Sequence, residues 1–175
     1  MTTALVTGAT AGIGAEFARQ LAARGDDLVL VARDRERLDA LAAELSAAHG
    51  VRVEVLGADL ADRAQVATVA DRLADPDNPI DLLVNNAGFG TTTTLDDPDT
   101  AQQEQALDVM AVAPMVLGAA AGAAMRARGH GRIINVASLS AWITQSGYSA
   151  VKAYTKVWSE GLAGEIILTG VHGAL

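Results

Sequence analysis

The chain alternates short, near-continuous apolar runs with longer segments in which apolar residues recur every third or fourth position. The runs are Ala4 to Val6, Leu28 to Ala32, Val51 to Leu56, Asp81 to Val84 and Arg132 to Val136. A strand covered on both faces shows no polar alternation, so these five are expected as neighbours in a parallel sheet with helices on each side. Between them, Ile13, Phe17 and Leu21 recur every fourth residue and would form the buried stripe of a first helix, which Gly25 ends. Leu38, Leu41 and Leu45 mark a second helix, opening amid Asp34 and Glu36 and closing near Gly50. A third is expected from about Arg63 to Leu73, stopped by Asp75-Pro76. A long helical stretch from about Asp99 to Arg128, bent near Pro114, and another from about Tyr148 to Leu162 complete the pattern.

This is the arrangement of a doubly wound α/β fold, in one domain spanning residues 1–175. No repeat or linker interrupts it. Such a sheet normally proceeds to a sixth strand; Thr169-Gly170-Val171-His172 reads as the approach to one that ends before it can pair, so the usual final strands are expected to be lacking.

Composition narrows the chemistry. Half of the 175 residues are hydrophobic and 19% are charged, enough apolar matter for a sizeable core. There is no cysteine, which excludes disulfides and thiolate metal sites. The net charge of −8, with the cations scattered, argues against nucleic acid as a partner. Arg126, Arg128, His130 and Arg132 cluster where a helix ends, where cations complement its dipole. The longest uncharged apolar run, Ala111 to Met125, contains Pro114 and is too short for a comfortable membrane span, so it is expected as a buried helix. Met1-Thr2-Thr3 leads directly into a strand without the basic head and apolar stretch of a signal peptide, and a cytoplasmic location is expected.

Two local patterns carry candidate chemistry. The segment TGATAGIG, Thr7 to Gly14, falls where the first strand turns into the first helix, which brings backbone N–H groups and a helix N-terminus together as a cradle for phosphate. Gly8, Gly12 and Gly14 leave out side chains where the main chain turns tightly or packs closely; glycines in such turns also serve geometry alone. Further along, Tyr148 and Lys152 in YSAVK lie four positions apart on a helical segment and so share a face. An ammonium about 5 Å from a phenol, at an effective dielectric of about 20, favours the phenolate by about 3 kcal/mol. Such a pair can work as an acid–base near neutral pH, although a helical Tyr/Lys pair alone is commonplace.

Together these motifs, with NNAG at Asn85 to Gly88 after the fourth strand and Ser138 ten residues before Tyr148, resemble the short-chain dehydrogenase/reductase family. The resemblance covers nearly the whole chain and implies a Rossmann-type sheet. It implies a nicotinamide dinucleotide held by Thr7, Gly8, Thr10, Gly12, Ile13, Gly14, Arg33, Asp59, Leu60, Asn86, Ala87 and Gly88, with Asp59 toward the adenine amino group. Tyr148 and Lys152 would also hold the cofactor. The second strand ends in VARDRERL, where Arg33 in the place of an acid, with Arg35 and Arg37 nearby, offers a 2'-phosphate positive partners and favours NADP(H) over NAD(H); Asp34 works against this, or serves as a helix cap, and Arg35 and Arg37 also fit a solvated helix face.

The activity implied is hydride transfer to or from a carbonyl or alcohol carbon of a small substrate, with Ser138, Tyr148 and Lys152 as catalytic residues and no metal. Trp142, Ile143 and Gln145 either line a moderately apolar pocket or simply pack. The long helix and the Tyr148 helix resemble the family's dimer surface, which makes a homo-oligomer an expectation. Two departures stand against the resemblance. Met110 occupies the slot of the family's catalytic asparagine, where a thioether is a weak acceptor, and Asp108 faces another direction. The family's C-terminal substrate-covering part is expected to be lacking. A catalytically silent nucleotide-binding module, or a shortened fragment of such an enzyme, is therefore the alternative.

Overall fold

In the computed structural model, which describes residues 2–166 and 171–174, the first half of the chain runs β1 (Thr3–Thr7), α1 (Gly12–Ala23), β2 (Asp27–Ala32), α2 (Arg35–His49), β3 (Val53–Gly57) and α3 (Arg63–Ala74). Next come β4 (Leu82–Asn85), α4 (Ala101–Leu107), a π-helical turn (Asp108–Val112), α5 (Ala113–Arg128) and β5 (Gly131–Asn135). A 3-10 turn (Leu139–Trp142), α6 (Gly147–Ile166) and β6 (Val171–Ala174) follow. The sheet order is β3-β2-β1-β4-β5-β6, and each neighbouring pair is parallel. The order reverses between β1 and β4, which leaves a crevice at the carboxyl ends of those strands.

Successive strand residues point to opposite faces, and the core divides accordingly. Leu5, Val29 and Leu83 pack with Val66, Val69 and Leu73 of α3 and with Leu117, Ala121 and Met125 of α5. Ala4, Val6, Leu28, Leu30 and Val84 face the other way, onto Ala18 and Leu21 of α1 and Leu38, Leu41 and Leu45 of α2. The helix ends follow local chemistry. Asp34 caps α2 by accepting from the Arg37 N–H at 3.0 Å, and Gly50 closes that helix in the left-handed region at φ 69. Asp62 caps α3, accepting from Ala64 and Gln65 N–H.

Three expectations change. Ile13 is 60% exposed, because the buried stripe of α1 is Ala15, Ala18, Leu21 and Ala22, one position round the helix. The third strand begins at Val53 rather than Val51. A sixth strand is present: Val171 to Ala174 pairs with Gly131 to Ile134, so four residues suffice to extend the ladder. The long helix does break near Pro114, as expected: the break is the π turn at Asp108–Val112, with Pro114 just beyond it in the first turn of α5. The whole stretch Ala101–Arg128 is 28 residues, long and apolar enough by composition to cross a membrane, and 56% of its most apolar window is buried within the fold.

Candidate active site

The crevice is a cleft of about 880 Å³ lined from both sides of the switch point. The loop after β1 contributes Gly8, Thr10, Gly12 and Ile13, and the end of β2 contributes Arg33 and Asp34. Asp59 and Leu60 follow β3, Asn86, Ala87 and Gly88 follow β4, and Ser138, Tyr148 and Lys152 close the far end. The structure therefore brings together all of the expected site residues except Thr7 and Gly14, which hold the loop rather than line the cleft.

Thr7 is buried, and its hydroxyl is spent on the scaffold: it donates to the Val84 carbonyl at 3.4 Å and accepts from the N–H groups of Asn86 and Ala87 at 2.9 and 3.1 Å. The Asn86 side-chain amide donates to the carbonyls of Thr7 at 3.0 Å and Gly8 at 3.4 Å. These bonds lock the glycine loop to the NNAG turn. Gly14 is the point of closest approach, since a Cβ there would overlap the Gly8 carbonyl oxygen and the Asn86 amide.

The loop fits a phosphate. Gly12, at φ 52, turns the chain into α1, and nothing lies within 4 Å of where its Cβ would stand. The N-cap residue Ala11 offers no side-chain acceptor and the first turn holds no acid, so the N–H groups there remain for an anion in the cleft.

At the β2 end of the cleft, the three arginines of VARDRERL part company. Arg35 pairs with Asp39 at 3.4 Å along α2, whereas Arg33 and Arg37 line the cleft. Arg37 also reaches back to donate to the Thr10 carbonyl at 2.9 Å, tying α2 to the glycine loop. The sequence left Arg37 open between a partner for phosphate and a solvated helix position, and the fold places it in the cleft. Asp59 accepts from the Ala61 N–H at 3.0 Å while lining the cleft.

At the β5 end, Ser138 caps the 3-10 turn, accepting from the Ser140 N–H at 3.1 Å; its hydroxyl hydrogen stays free to donate. Tyr148 lies in the first turn of α6, and the Lys152 ammonium stands 5.8 Å from the centre of its ring. Lys152 is buried and donates to the Val136 carbonyl at 2.7 Å, a partner no motif announces. Burial pushes the Lys152 ammonium below its usual lysine range.

Trp142, Ile143 and Gln145 do not line this cleft. They are exposed beyond Ser138, and Trp142 lies against Lys156, whose ammonium is 5.1 Å from the indole centre. Met110 is fully buried, its sulfur close enough to Gly88 that a Cβ there would stand 2.9 Å from Sδ. Asp108 is paired with Arg63 at 2.6 Å and so is occupied elsewhere. Among the described residues no cluster of His, Asp or Glu could hold a metal.

Comparison with known proteins agrees with this geometry. The family model described as short chain dehydrogenase matches residues 2–173. L-xylo-3-hexulose reductase of Hypocrea jecorina (strain QM6a) is 34% identical over 198 residues, an alignment that covers 97% of this chain and 64% of the reductase. The bulky-bulky ketone specific alcohol dehydrogenase from Comamonas testosteroni superposes with a TM-score of 0.95 at 35% identity, over 99% of this chain and 71% of that one. A short-chain dehydrogenase from Sphingobium yanoikuyae, solved in complex with NADPH, gives a TM-score of 0.95 at 39% identity, over 99% of this chain and 69% of that one. This chain thus spans 64% of the length of the hexulose reductase. From its strand order, its glycine loop and the match along nearly all its length, the chain belongs to the short chain dehydrogenase family.

Proposed function

We propose that this protein is an NADP(H)-dependent oxidoreductase that reduces a carbonyl, or oxidises the corresponding alcohol, on a small substrate. The observation that carries the reading is the convergence of Ser138, Tyr148 and Lys152 on the end of the cleft opposite the Arg33 and Arg37 corner. Bound nicotinamide supplies the hydride in reduction and accepts it in oxidation. Tyr148 delivers a proton from its hydroxyl to the substrate oxygen, and the Lys152 charge favours the phenolate left behind. Ser138 donates a hydrogen bond to the same oxygen as charge develops on it. Lys152, anchored on the Val136 carbonyl, would also hold a ribose hydroxyl of the cofactor.

Arg33 and Arg37 support NADP(H) over NAD(H), because two guanidinium groups at one end of the cleft suit a 2'-phosphate. Exposed Leu107, Tyr154 and Val157 support packing against a second copy. A silent nucleotide-binding module is the second reading, and it is favoured by the buried thioether of Met110, which offers water little anchorage near the catalytic group.

Fluorescence titration of the purified chain with NADPH, with NADH as competitor and a panel of ketones, separates the two. Tight NADPH binding with turnover lost in Tyr148→Phe is expected. Binding without turnover supports the silent module, and a folded chain that binds neither dinucleotide sinks both readings.

A further inference from the structure

An α-helix satisfies each carbonyl with the N–H four residues on, and for Met110 that residue is Pro114, which has none. The helix opens at this point into the π turn, where the Ala113 N–H donates to the Asp108 carbonyl. Met110 is buried, so its carbonyl needs a partner from the protein. The Thr155 hydroxyl of α6, itself buried, donates to it at 2.8 Å, in preference to the Val151 carbonyl at 3.1 Å.

One turn further along α6, Ser159 donates to the Thr155 carbonyl at 2.6 Å and accepts from the Asn135 amide at 2.9 Å. Asn135 in turn accepts from the Asn85 amide at 2.8 Å. A chain of buried polar groups therefore joins β4, β5, α6 and the π turn. Each of them left unpaired would bear the desolvation penalty of a buried polar group, and rotating α6 by one residue would unpair several at once. Tyr148, Lys152, Thr155 and Ser159 are spaced four, three and four residues apart, which places all of them on one stripe of that helix.

We propose that Thr155 is a positioning residue, whose bond to the Met110 carbonyl freed by Pro114 fixes the register of α6 and so seats Tyr148 and Lys152 at the cleft. This lock gives a role to the main chain at position 110 while the methionine side chain packs beneath Gly88. It rests on the reading of Tyr148 and Lys152 as catalytic.

The chain holds two lysines, Lys152 and Lys156, so lysine-selective carbon-13 labelling yields two side-chain titrations, assigned with Lys156→Arg. Thr155→Val keeps the shape and removes the donor. In that variant the Lys152 midpoint is expected to rise by more than about half a pH unit toward the usual lysine value as its burial loosens, while Lys156 stays in place. Thr155→Ser, which keeps the hydroxyl, is expected to retain the parent midpoint. A folded Thr155→Val with an unmoved Lys152 overturns the proposal. Should that variant not fold, Thr155→Ala decides in its stead: it also removes the hydroxyl donor, and a folded chain with an unmoved Lys152 overturns the proposal equally. With turnover as a second readout, Thr155→Val is expected to lower kcat about tenfold. The titration needs no cofactor, so a chain that reduces no carbonyl fails the catalytic reading alone, and the lock stands or falls on Lys152.

Discussion

Lys152 shows at the scale of one residue how a site is held at a cost to the fold. Its ammonium is buried against the Val136 carbonyl, and burial disfavours the charged form. The folded chain therefore binds that proton less tightly than the unfolded chain. The penalty is fully present below the folded-state pKa, and it is relieved as pH rises from there toward the ordinary lysine value of about 10.4. Lys152→Met, which keeps an unbranched stem without the charge, is expected to be more stable than the parent at pH 7 by about 1 kcal/mol and to have lost turnover. Urea denaturation at pH 7 and at pH 10 checks both the sign and the trend, since the gap should narrow at the higher pH. Equal stability at pH 7 would mean that the bond to Val136 fully offsets the burial. The arginines of VARDRERL carry a related lesson: identical side chains two positions apart end in different places, Arg35 on Asp39 and Arg37 on the Thr10 carbonyl.

At the scale of elements, the glycine loop and the NNAG turn are one unit. Thr7 and Asn86 exchange the bonds that hold them together, and Gly14 is where α1 packs against both. Gly14→Ala introduces a carbon against main chain that cannot yield without moving the loop. The expected outcome is a loss of about 2–3 kcal/mol in stability and at least tenfold weaker NADPH binding, measured by thermal unfolding and fluorescence titration. Unchanged binding would show that the loop carries no phosphate. The glycines were legible as a turn in the sequence because backbone freedom is a local property. Which of them faces the cleft was not, because Gly14 meets Asn86, a residue that only folding brings near.

At the scale of the whole molecule, the cleft spans residues from every crossover of the sheet, so a ligand that fills it draws on the stability of the entire fold. NADPH at a hundred times its dissociation constant is expected to stabilise the chain by about 2.7 kcal/mol, roughly 5–10 °C in Tm for a chain of this size. NADH at the same concentration is expected to give less than half that shift; an equal shift in a thermal melt would contradict the role assigned to Arg33 and Arg37. The alternation of apolar runs with helical periods, the caps at Asp34 and Gly50, the glycine loop and the Tyr148/Lys152 pair were all determined by the sequence itself, because each depends on spacing along a few consecutive residues. The exposure of Ile13, the sixth strand, the turning of Trp142 onto Lys156 and the bond from Thr155 to the Met110 carbonyl were decided by the tertiary structure. Each of these depends on which surfaces meet, and Met110 and Thr155, 45 residues apart, become neighbours only once α6 has packed against the long helix.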